Sequence, residues 1–190
     1  MLKYLTAADY KHNTWTGGET TELFIYPPQA ELGQRNFQCR ISSATVNVER
    51  SEFSDFSGYQ RFLQILQGEI RLQVGQDEPL DLPQLAYHYF PGEAKTVSEG
   101  QCRDFNVIYQ SPISIDNEIL LAGDQVQLQS DQAYFIFNPN QDAVDLEVET
   151  EKLRLASMAA VWAVEEKLSV TMKAGQTAIL IAIKGLGVNK

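Results

Sequence analysis

The segment EFSDFSGYQRFLQILQGEIRLQV, from Glu52 to Val74, decides the fold of this chain. Ser57 and Gly58 predict a turn, and Gly68 predicts a second turn that closes a hairpin. Short apolar runs follow each of these turns, without the 3.6-residue period of an amphipathic helix. The segment therefore predicts antiparallel strands of the kind found in sandwiches and barrels.

The same alternation of short apolar runs with Gly, Pro, Asn and Asp clusters extends on both sides of this hairpin. It indicates strands up to the Ser111-Pro112 boundary, bounded by turn residues such as Pro27-Pro28 and Pro91-Gly92. The predicted strands are Thr21–Tyr26, Phe37–Val48, Phe62–Val74, Ala86–Phe90, Ala94–Ser98 and Arg103–Tyr109.

A second series of predicted strands follows Pro112. Its members are Gln125–Gln129, Ala133–Phe137, Ala143–Glu147, Met158–Val164, Leu168–Met172 and Thr177–Ile183. The Ala-rich stretch from Leu153 to Glu166 also suits a helix, but its β-branched neighbours favour strand. We predict an all-β chain of two tightly packed barrels, residues 1–112 and 113–190, with a binding cavity in the first.

The composition excludes several classes of partner. The 190 residues carry a formal net charge of −10, and 44% of them are hydrophobic, which is enough for a sizeable core. Nucleic acids and anionic membranes select clustered Lys and Arg, so neither is an expected partner. The sequence shows no signal peptide and no apolar run of about 18 residues, so we expect a cytoplasmic protein. Cys39 and Cys102 are expected to be reduced core thiols.

The Glu52–Val74 segment resembles the metal-binding hairpin of a cupin barrel, H-x-H-x-x-x-E-x-x-x-V-L-x-G. With the closing glycine aligned on Gly68, and with a second motif, P-x-G-x-x-H, aligned around Gly92, no metal ligand survives. The four ligand positions hold Asp55, Ser57, Arg61 and Lys95. An arginine is always protonated and has no lone pair to donate, so it repels a metal and attracts an anion. We predict no metal, no cofactor and a small negative ligand.

The histidine count supports this expectation. His12 and His88 are the only histidines in the chain, so a three-histidine metal site cannot form. A site of two histidines and one carboxylate would need both of them. We expect each to be a surface or edge histidine.

Arg61 is the strongest candidate for contacting the anion, and Arg40 is the second. Arg40 and Ser42 share one face of a predicted strand, and a guanidinium matches both oxygens of a carboxylate. Structural alternatives remain: Arg61 in an ion pair with Asp104, and Arg40 pointing outward from the barrel. Further candidates supply hydrogen bonds, an apolar wall or orientation of the arginines, and they are Ser54, Thr20, Trp15, Tyr59, Asp104 and Asn106.

Five pieces occur in order from Trp15 to Asn106: WTGGETTEL, RISSA, FSDFSGYQRFLQILQG, YFPGE and DFN. Together they resemble the HutD/Ves family of bicupin proteins. The resemblance implies two cupin-like barrels in one chain and no established catalytic activity. It also implies a regulatory or binding role toward an intermediate of histidine degradation, such as a formylated glutamate or urocanate, or a role in the stress response.

Three functions follow from these observations. The first is a metal-free binding protein for a small carboxylate metabolite, regulatory in amino-acid catabolism. The second is a cofactor-free enzyme, an isomerase or hydrolase, which needs an acid or base beside the arginines. The third is an interaction module with a vestigial pocket. We expect a small anionic metabolite as the partner, with no nucleic acid and no membrane, and the sequence leaves a homodimer open.

Overall fold

The computed structural model describes residues 1–164, 167–175 and 177–187, and the elements below are those of these residues. The chain divides into two compact units, an N-terminal unit of Tyr10–Ser111 and a C-terminal unit of Met1–Asp9 with Pro112–Lys190. Every strand pairing in both units is antiparallel. The all-β prediction is therefore confirmed.

The N-terminal unit contains a six-stranded sheet in the order β2-β3-β4-β11-β6-β9. Its strands are β2 (Lys11–Trp15), β3 (Gly18–Tyr26), β4 (Cys39–Val46), β6 (Gln60–Gly68), β9 (Tyr87–Pro91) and β11 (Cys102–Tyr109). A smaller sheet has the order β5-β10-β7-β8. It is formed by β5 (Arg50–Glu52), β7 (Ile70–Val74), β8 (Leu80–Leu82) and β10 (Thr96–Glu99).

Among the described residues, two of the apolar clusters lie in the interior of this unit. The larger cluster joins both sheets, with Leu63 and Ile65 from β6 packed with Ile70 and Leu72 from β7. The smaller cluster contains Ala30, Phe37, Phe56, Tyr59 and Ile108. Burial alternates along β7, where Ile70, Leu72 and Val74 are buried and Arg71 is exposed, as expected for a strand with one wet face.

The C-terminal unit also contains two sheets. One sheet has the order β1-β17-β14-β19-β12, and the other has the order β13-β18-β15-β16. The strands are β1 (Leu2–Leu5), β12 (Ser114–Leu120), β13 (Gln125–Leu128), β14 (Ala133–Phe137), β15 (Val144–Val148), β16 (Glu151–Leu155), β17 (Ala160–Val164), β18 (Leu168–Ala174) and β19 (Ala178–Lys184). Its core cluster draws buried side chains from both sheets, for example Ile136 and Met172.

The first nine residues are divided differently from the sequence-based scheme, which placed residues 1–112 in one barrel. β1 pairs with β17 of the C-terminal unit over Leu2–Leu5, so this segment belongs with residues 112 and beyond. A 3₁₀ turn at Ala7–Asp9 follows, and the Thr6 backbone N–H donates to Asp9 Oδ2 at 2.9 Å. This bond is one of the two reciprocal hydrogen bonds of a capping box, between Thr6 and the acidic residue three positions later.

The Leu153–Glu166 stretch, for which sequence left a helix open, forms the end of β16 and the whole of β17, as favoured. Glu165 and Glu166 lie outside the described residues. A second 3₁₀ turn lies at Leu32–Gln34. No helix among the described residues has the length and apolar character needed to cross a membrane.

Candidate functional site

A cavity of about 360 Å³ opens in the N-terminal unit between its two sheets. Its wall includes side chains of β2, β3, β4, β6 and β11 on one side, and of β5 and β10 on the other. The structure brings together eight of the nine predicted ligand-binding residues, namely Arg61, Arg40, Ser42, Ser54, Trp15, Thr20, Asp104 and Asn106. Tyr59 is not among the lining residues.

Strand register explains why these polar groups meet. On β11, Asp104, Asn106 and Ile108 are two residues apart and therefore share one face. Asn106 lies opposite Ser42 of β4 in the sheet. Across the other edge of β11, Ile108 lies opposite Arg61, so Arg61 and Asn106 are diagonal neighbours.

Arg61 is buried in this cavity with almost no protein partner for its charge. Arg61 is 5% exposed, and its Nε atom has no hydrogen-bond partner. Its one hydrogen bond among the described residues is a long one, from Nη1 to the Ser54 carbonyl oxygen at 3.4 Å. Desolvation is the main cause that lowers the pKa of Arg61, to about 10, so it stays protonated at neutral pH.

Three aromatic rings surround the Arg61 guanidinium. Its Cζ atom lies 4.7 Å from the centre of the Phe53 ring, 5.3 Å from that of Phe90 and 5.7 Å from that of Phe56. Ring faces carry partial negative charge and stabilise a cation, but they leave its N–H groups without acceptors. The arrangement therefore holds the cation in place and leaves hydrogen-bond donors for another molecule.

The alternative in which Arg61 is a structural ion pair with Asp104 is not what the structure contains. Among the described residues, no Arg61–Asp104 pair lies within the 4.0 Å limit of a salt bridge. The two charges still influence each other, since Asp104 raises the pKa of Arg61 while Arg40 lowers it. Arg61 is thus a buried cation that forms no ion pair with the Asp104 carboxyl group.

Arg40 also lines the cavity, but its charge is already compensated. Arg40 Nε donates to Glu22 Oε2 at 2.8 Å, and Nη1 donates to Ser42 Oγ at 2.9 Å. The Arg40 and Glu22 side chains are 7% and 11% exposed. Arg40 was the second candidate for contacting the anion, and in the structure its Nε and Nη1 atoms already donate to Glu22 and Ser42.

Asp104 and Asn106 present unusual polar groups to the same cavity. Asp104 is buried, and its Oδ1 atom accepts a hydrogen bond from the Ala44 backbone N–H at 3.1 Å. Burial raises the pKa of Asp104 to about 6, although that hydrogen bond and the positive charges of Arg61 and Arg40 oppose the rise. Asn106 is 7% exposed, and its Oδ1 atom is buried without a hydrogen-bond partner.

Tyr59 has a structural place instead of the predicted place in the cavity wall. Its hydroxyl lies 2.7 Å from the Arg35 carbonyl oxygen and 2.9 Å from that of Phe37. Its ring packs 4.7 Å from the Phe37 ring. Because β6 begins at Gln60, Tyr59 lies in the preceding turn and does not share the inward face of Arg61.

Three of the four residues aligned with cupin ligand positions lie away from the cavity. Asp55 and Ser57 are exposed and form a local turn, in which Asp55 Oδ1 accepts from the Ser57 N–H at 2.7 Å. Lys95 is also exposed and is absent from the cavity wall, so only Arg61 keeps an inward ligand position. The described residues contain no group of three or more His, Cys, Asp or Glu side chains able to hold a metal.

Sequence reasoning missed four residues that define this site. Glu22, which compensates Arg40, shares the inward face of β3 with Thr20, two residues earlier. Phe53, Phe56 and Phe90, which surround Arg61, lie in the FSDF and YFPG sequences, and no functional role was predicted for them. Their spacing around the glycine turns was the available signal, since aromatic residues near a buried arginine often stack on it.

The fold has a recognisable counterpart among solved structures. A bacterial pirin, YhhW from Escherichia coli, solved in complex with nickel(II), superposes with a TM-score of 0.68 at 10% identity, over 96% of this chain and 98% of that chain. At this identity the likeness concerns the fold alone. It supports the prediction of two cupin-like barrels in one chain.

Closer similarities are found to a protein from a hutC 3′ region and to a solved HutD structure. An uncharacterised 21.2 kDa protein from the hutC 3′ region of Pseudomonas putida is 38% identical over an alignment of 116 residues, and the match covers 57% of this chain. The match spans 58% of that relative's length. HutD from Pseudomonas fluorescens SBW25, solved in a formate condition, is 25% identical with a TM-score of 0.77, over 97% of this chain and 98% of that chain.

The family model agrees with both comparisons. The HutD model matches residues 7–181, which include strands of both units and every residue of the cavity named above. The predicted resemblance to this family is confirmed. The chain belongs to the HutD family.

Proposed function

We propose that the chain is a metal-free binding protein for a small carboxylate metabolite. The observation that carries this proposal is the state of Arg61, a buried cation within a cavity of about 360 Å³ with an unpartnered Nε. Leaving a charged group buried without hydrogen bonds is costly, and a bound carboxylate would satisfy it. The planar fork of the guanidinium matches the two oxygens of a carboxylate.

The rest of the cavity suits the body of an organic acid. Val46, Ile108, Phe53 and Phe56 supply apolar surface for carbon atoms. Ser42, Ser98 and Thr20 place hydroxyl groups around that surface. A mostly apolar cavity with a few placed polar groups is the usual form of a small-molecule site.

We assign the binding a regulatory role in histidine or other amino-acid catabolism, or in the stress response. The family membership supports this role, as does the position of the Pseudomonas putida relative in the hutC 3′ region. In this role the protein would report the level of an acidic catabolic intermediate through its occupancy. No chemistry on the ligand is required.

Calorimetric titration of the purified chain tests this proposal. Formylglutamate, urocanate, glutamate and formate are the first ligands, because they are acids of the expected class or its simplest member. We expect at least one to bind, and a ligand at about 100 times its Kd should stabilise the fold by roughly 2.7 kcal/mol. Absence of binding by all carboxylates at millimolar concentration would contradict the proposal.

A cofactor-free enzyme is the second candidate, and Asp104 is the observation that favours it. A carboxyl group with a pKa of about 6, buried in the same cavity as a free cation, is suited to proton transfer near neutral pH. Proton NMR of each bound acid, incubated with the protein in D₂O, tests this candidate. Isomerisation, hydrolysis or deuterium exchange that is lost in Asp104→Asn would favour it over simple binding.

A further inference from the structure

The charges and hydrogen-bonding groups of the cavity restrict which carboxylates fit. Resting on the proposed function, we propose that the ligand is a monocarboxylate that also carries an O–H or N–H group. Its single carboxylate pairs with Arg61, and its donor group bonds to Asn106 Oδ1. The two residues are diagonal neighbours on β6 and β11 and line one cavity.

The first step concerns charge. Of the two arginines in the wall, Arg40 is neutralised by Glu22 at 2.8 Å. The same Glu22 has Lys11 3.8 Å away, but that lysine side chain is 70% exposed and contributes little inside. Arg61 is therefore the one cation of the described cavity wall whose charge is not held in an ion pair.

The second step concerns the carboxyl groups already present. Asp104 is buried in the cavity, and Glu52 stands exposed at its rim. A ligand with two carboxylates would bring its second negative charge toward these groups with no cation left to receive it. Like charges brought together in a poorly solvated site are strongly unfavourable. Arg61 can therefore pair with one anionic group of a ligand, and the described wall has no further cation for a second.

The third step concerns Asn106. Its Oδ1 atom is buried and has no hydrogen-bond partner, and the residue is 7% exposed. Buried polar side-chain atoms are nearly always satisfied in native structures, so this acceptor calls for a donor from the occupant. A simple alkyl carboxylate supplies none, whereas a hydroxyl or amide N–H does.

The fourth step concerns size. Water occupies about 30 Å³ per molecule in the liquid, so a cavity of about 360 Å³ has room for on the order of ten waters. A lone carboxylate group would leave most of that space unfilled. The occupant therefore has a carbon body long enough to carry its donor from Arg61 toward Asn106.

Titration of the whole chain with matched five-carbon acids tests this inference. The probes are pentanoate, its hydroxy derivatives with the hydroxyl at carbon 3, 4 or 5, and glutarate. We expect at least one hydroxy acid to bind about 5- to 100-fold more tightly than pentanoate, because it satisfies a buried acceptor. Glutarate should bind more weakly than that hydroxy acid.

The variant Asn106→Leu removes the acceptor and keeps the side-chain volume similar. In this variant the preference for the hydroxy acid over pentanoate should disappear, while carboxylate binding remains. If the variant does not fold, the wild-type ratios decide the outcome alone.

Two results would overturn the inference in distinguishable ways. Binding that is lost in Arg61→Lys, but is as tight for pentanoate or glutarate as for every hydroxy acid, rejects the donor and single-charge requirements and leaves carboxylate binding standing. Absence of binding by every five-carbon acid rejects this inference, and the proposed function falls with it only if formylglutamate, urocanate, glutamate and formate also fail to bind.

Discussion

Glu22 and Arg40 form a nearly buried ion pair on adjacent strands, with Arg40 Nε 2.8 Å from Glu22 Oε2. Because of this pair, the two arginines that line the cavity differ in their bonding. Arg40 is held by protein groups, which leaves Arg61 as the arginine with donors for a ligand. Of these two arginines, Arg61 is the one whose Nε atom has no hydrogen-bond partner among the described residues.

Replacing Arg61 by lysine should weaken carboxylate binding while leaving the fold intact. Lysine keeps the charge but loses the planar fork, and a charge-assisted hydrogen bond contributes roughly 1.5–3 kcal/mol, so we expect a loss of about 10- to 100-fold in affinity. Calorimetry measures it, and Arg71→Lys, an exposed arginine of the same unit, is the matched control. Wild-type affinity in Arg61→Lys would show that Arg61 does not contact the ligand.

Glu22→Gln should change which acids bind. Removing this negative charge frees Arg40 to pair with a second carboxylate, so the ratio of glutarate to pentanoate affinity should rise by about tenfold. The fold should lose roughly 1–3 kcal/mol, because Arg40 loses its charged partner. Competition titrations and urea unfolding measure the two effects, and an unchanged ratio would mean that Arg40 is not a charge reserve for the site.

Asp104→Asn should alter how stability depends on pH. The folded pKa of Asp104, about 6, lies above the ordinary value of 3.8 for an aspartate, so the contribution of this carboxyl group to stability is complete below pH 3.8 and is lost as the pH rises through 6. The free energy of unfolding of Asp104→Asn minus that of wild type should therefore be higher at pH 7.5 than at pH 4.5, by at most about 2–3 kcal/mol.

Urea unfolding at both pH values measures this difference. Asp81→Asn is the control, since the Asp81 side chain is 80% exposed. A pH-independent effect of Asp104→Asn would mean that the Asp104 carboxyl titrates normally in the folded protein.

Tyr59→Phe should affect stability without affecting binding. The hydroxyl of Tyr59 serves the carbonyl groups of Arg35 and Phe37, which then lose a hydrogen bond, at a cost of about 1 kcal/mol. Ligand affinity should match that of wild type within a factor of two or so, since Tyr59 is absent from the cavity wall. A large loss of affinity with unchanged stability would restore Tyr59 to the site.

Elemental analysis of the dialysed protein should find no stoichiometric transition metal. Arg61 stands at a ligand position of the cupin motif, and a guanidinium cannot donate a lone pair. Retention of about one Zn, Fe, Mn or Ni per chain would overturn the alignment that places Arg61 there.

Much of the fold was predictable from sequence because turn residues and apolar runs are local signals. Ala133–Phe137 was predicted with its observed bounds, and the Cys102–Tyr109 strand within one residue. The strands that sequence missed, such as Leu2–Leu5, Lys11–Trp15 and Arg50–Glu52, are short, largely exposed segments. Leu2–Leu5 and Arg50–Glu52 pair with β17 and β10, which are distant in the chain, and no local pattern reveals such partners.

The candidate site was partly predictable for a similar reason. The period of two places Asp104 and Asn106 on one face of β11, and it places Arg40 and Ser42 on one face of β4. The register of these two paired strands brings the two faces together. What sequence could not decide was which carboxylate pairs with which arginine. An ion pair of Arg61 with Asp104 was the structural alternative, but the observed ion pair joins Glu22 to Arg40 on the adjacent strands β3 and β4.

The pairing of β1 with β17 matters for anyone who expresses the C-terminal unit alone. A fragment that begins at residue 112 would leave β17, whose sequence is Ala-Val-Trp-Ala-Val, as an uncovered edge of its sheet. Apolar edge strands recruit strands from other molecules and promote aggregation. A soluble fragment would need Met1–Asp9 added as a separate peptide or joined through a designed linker.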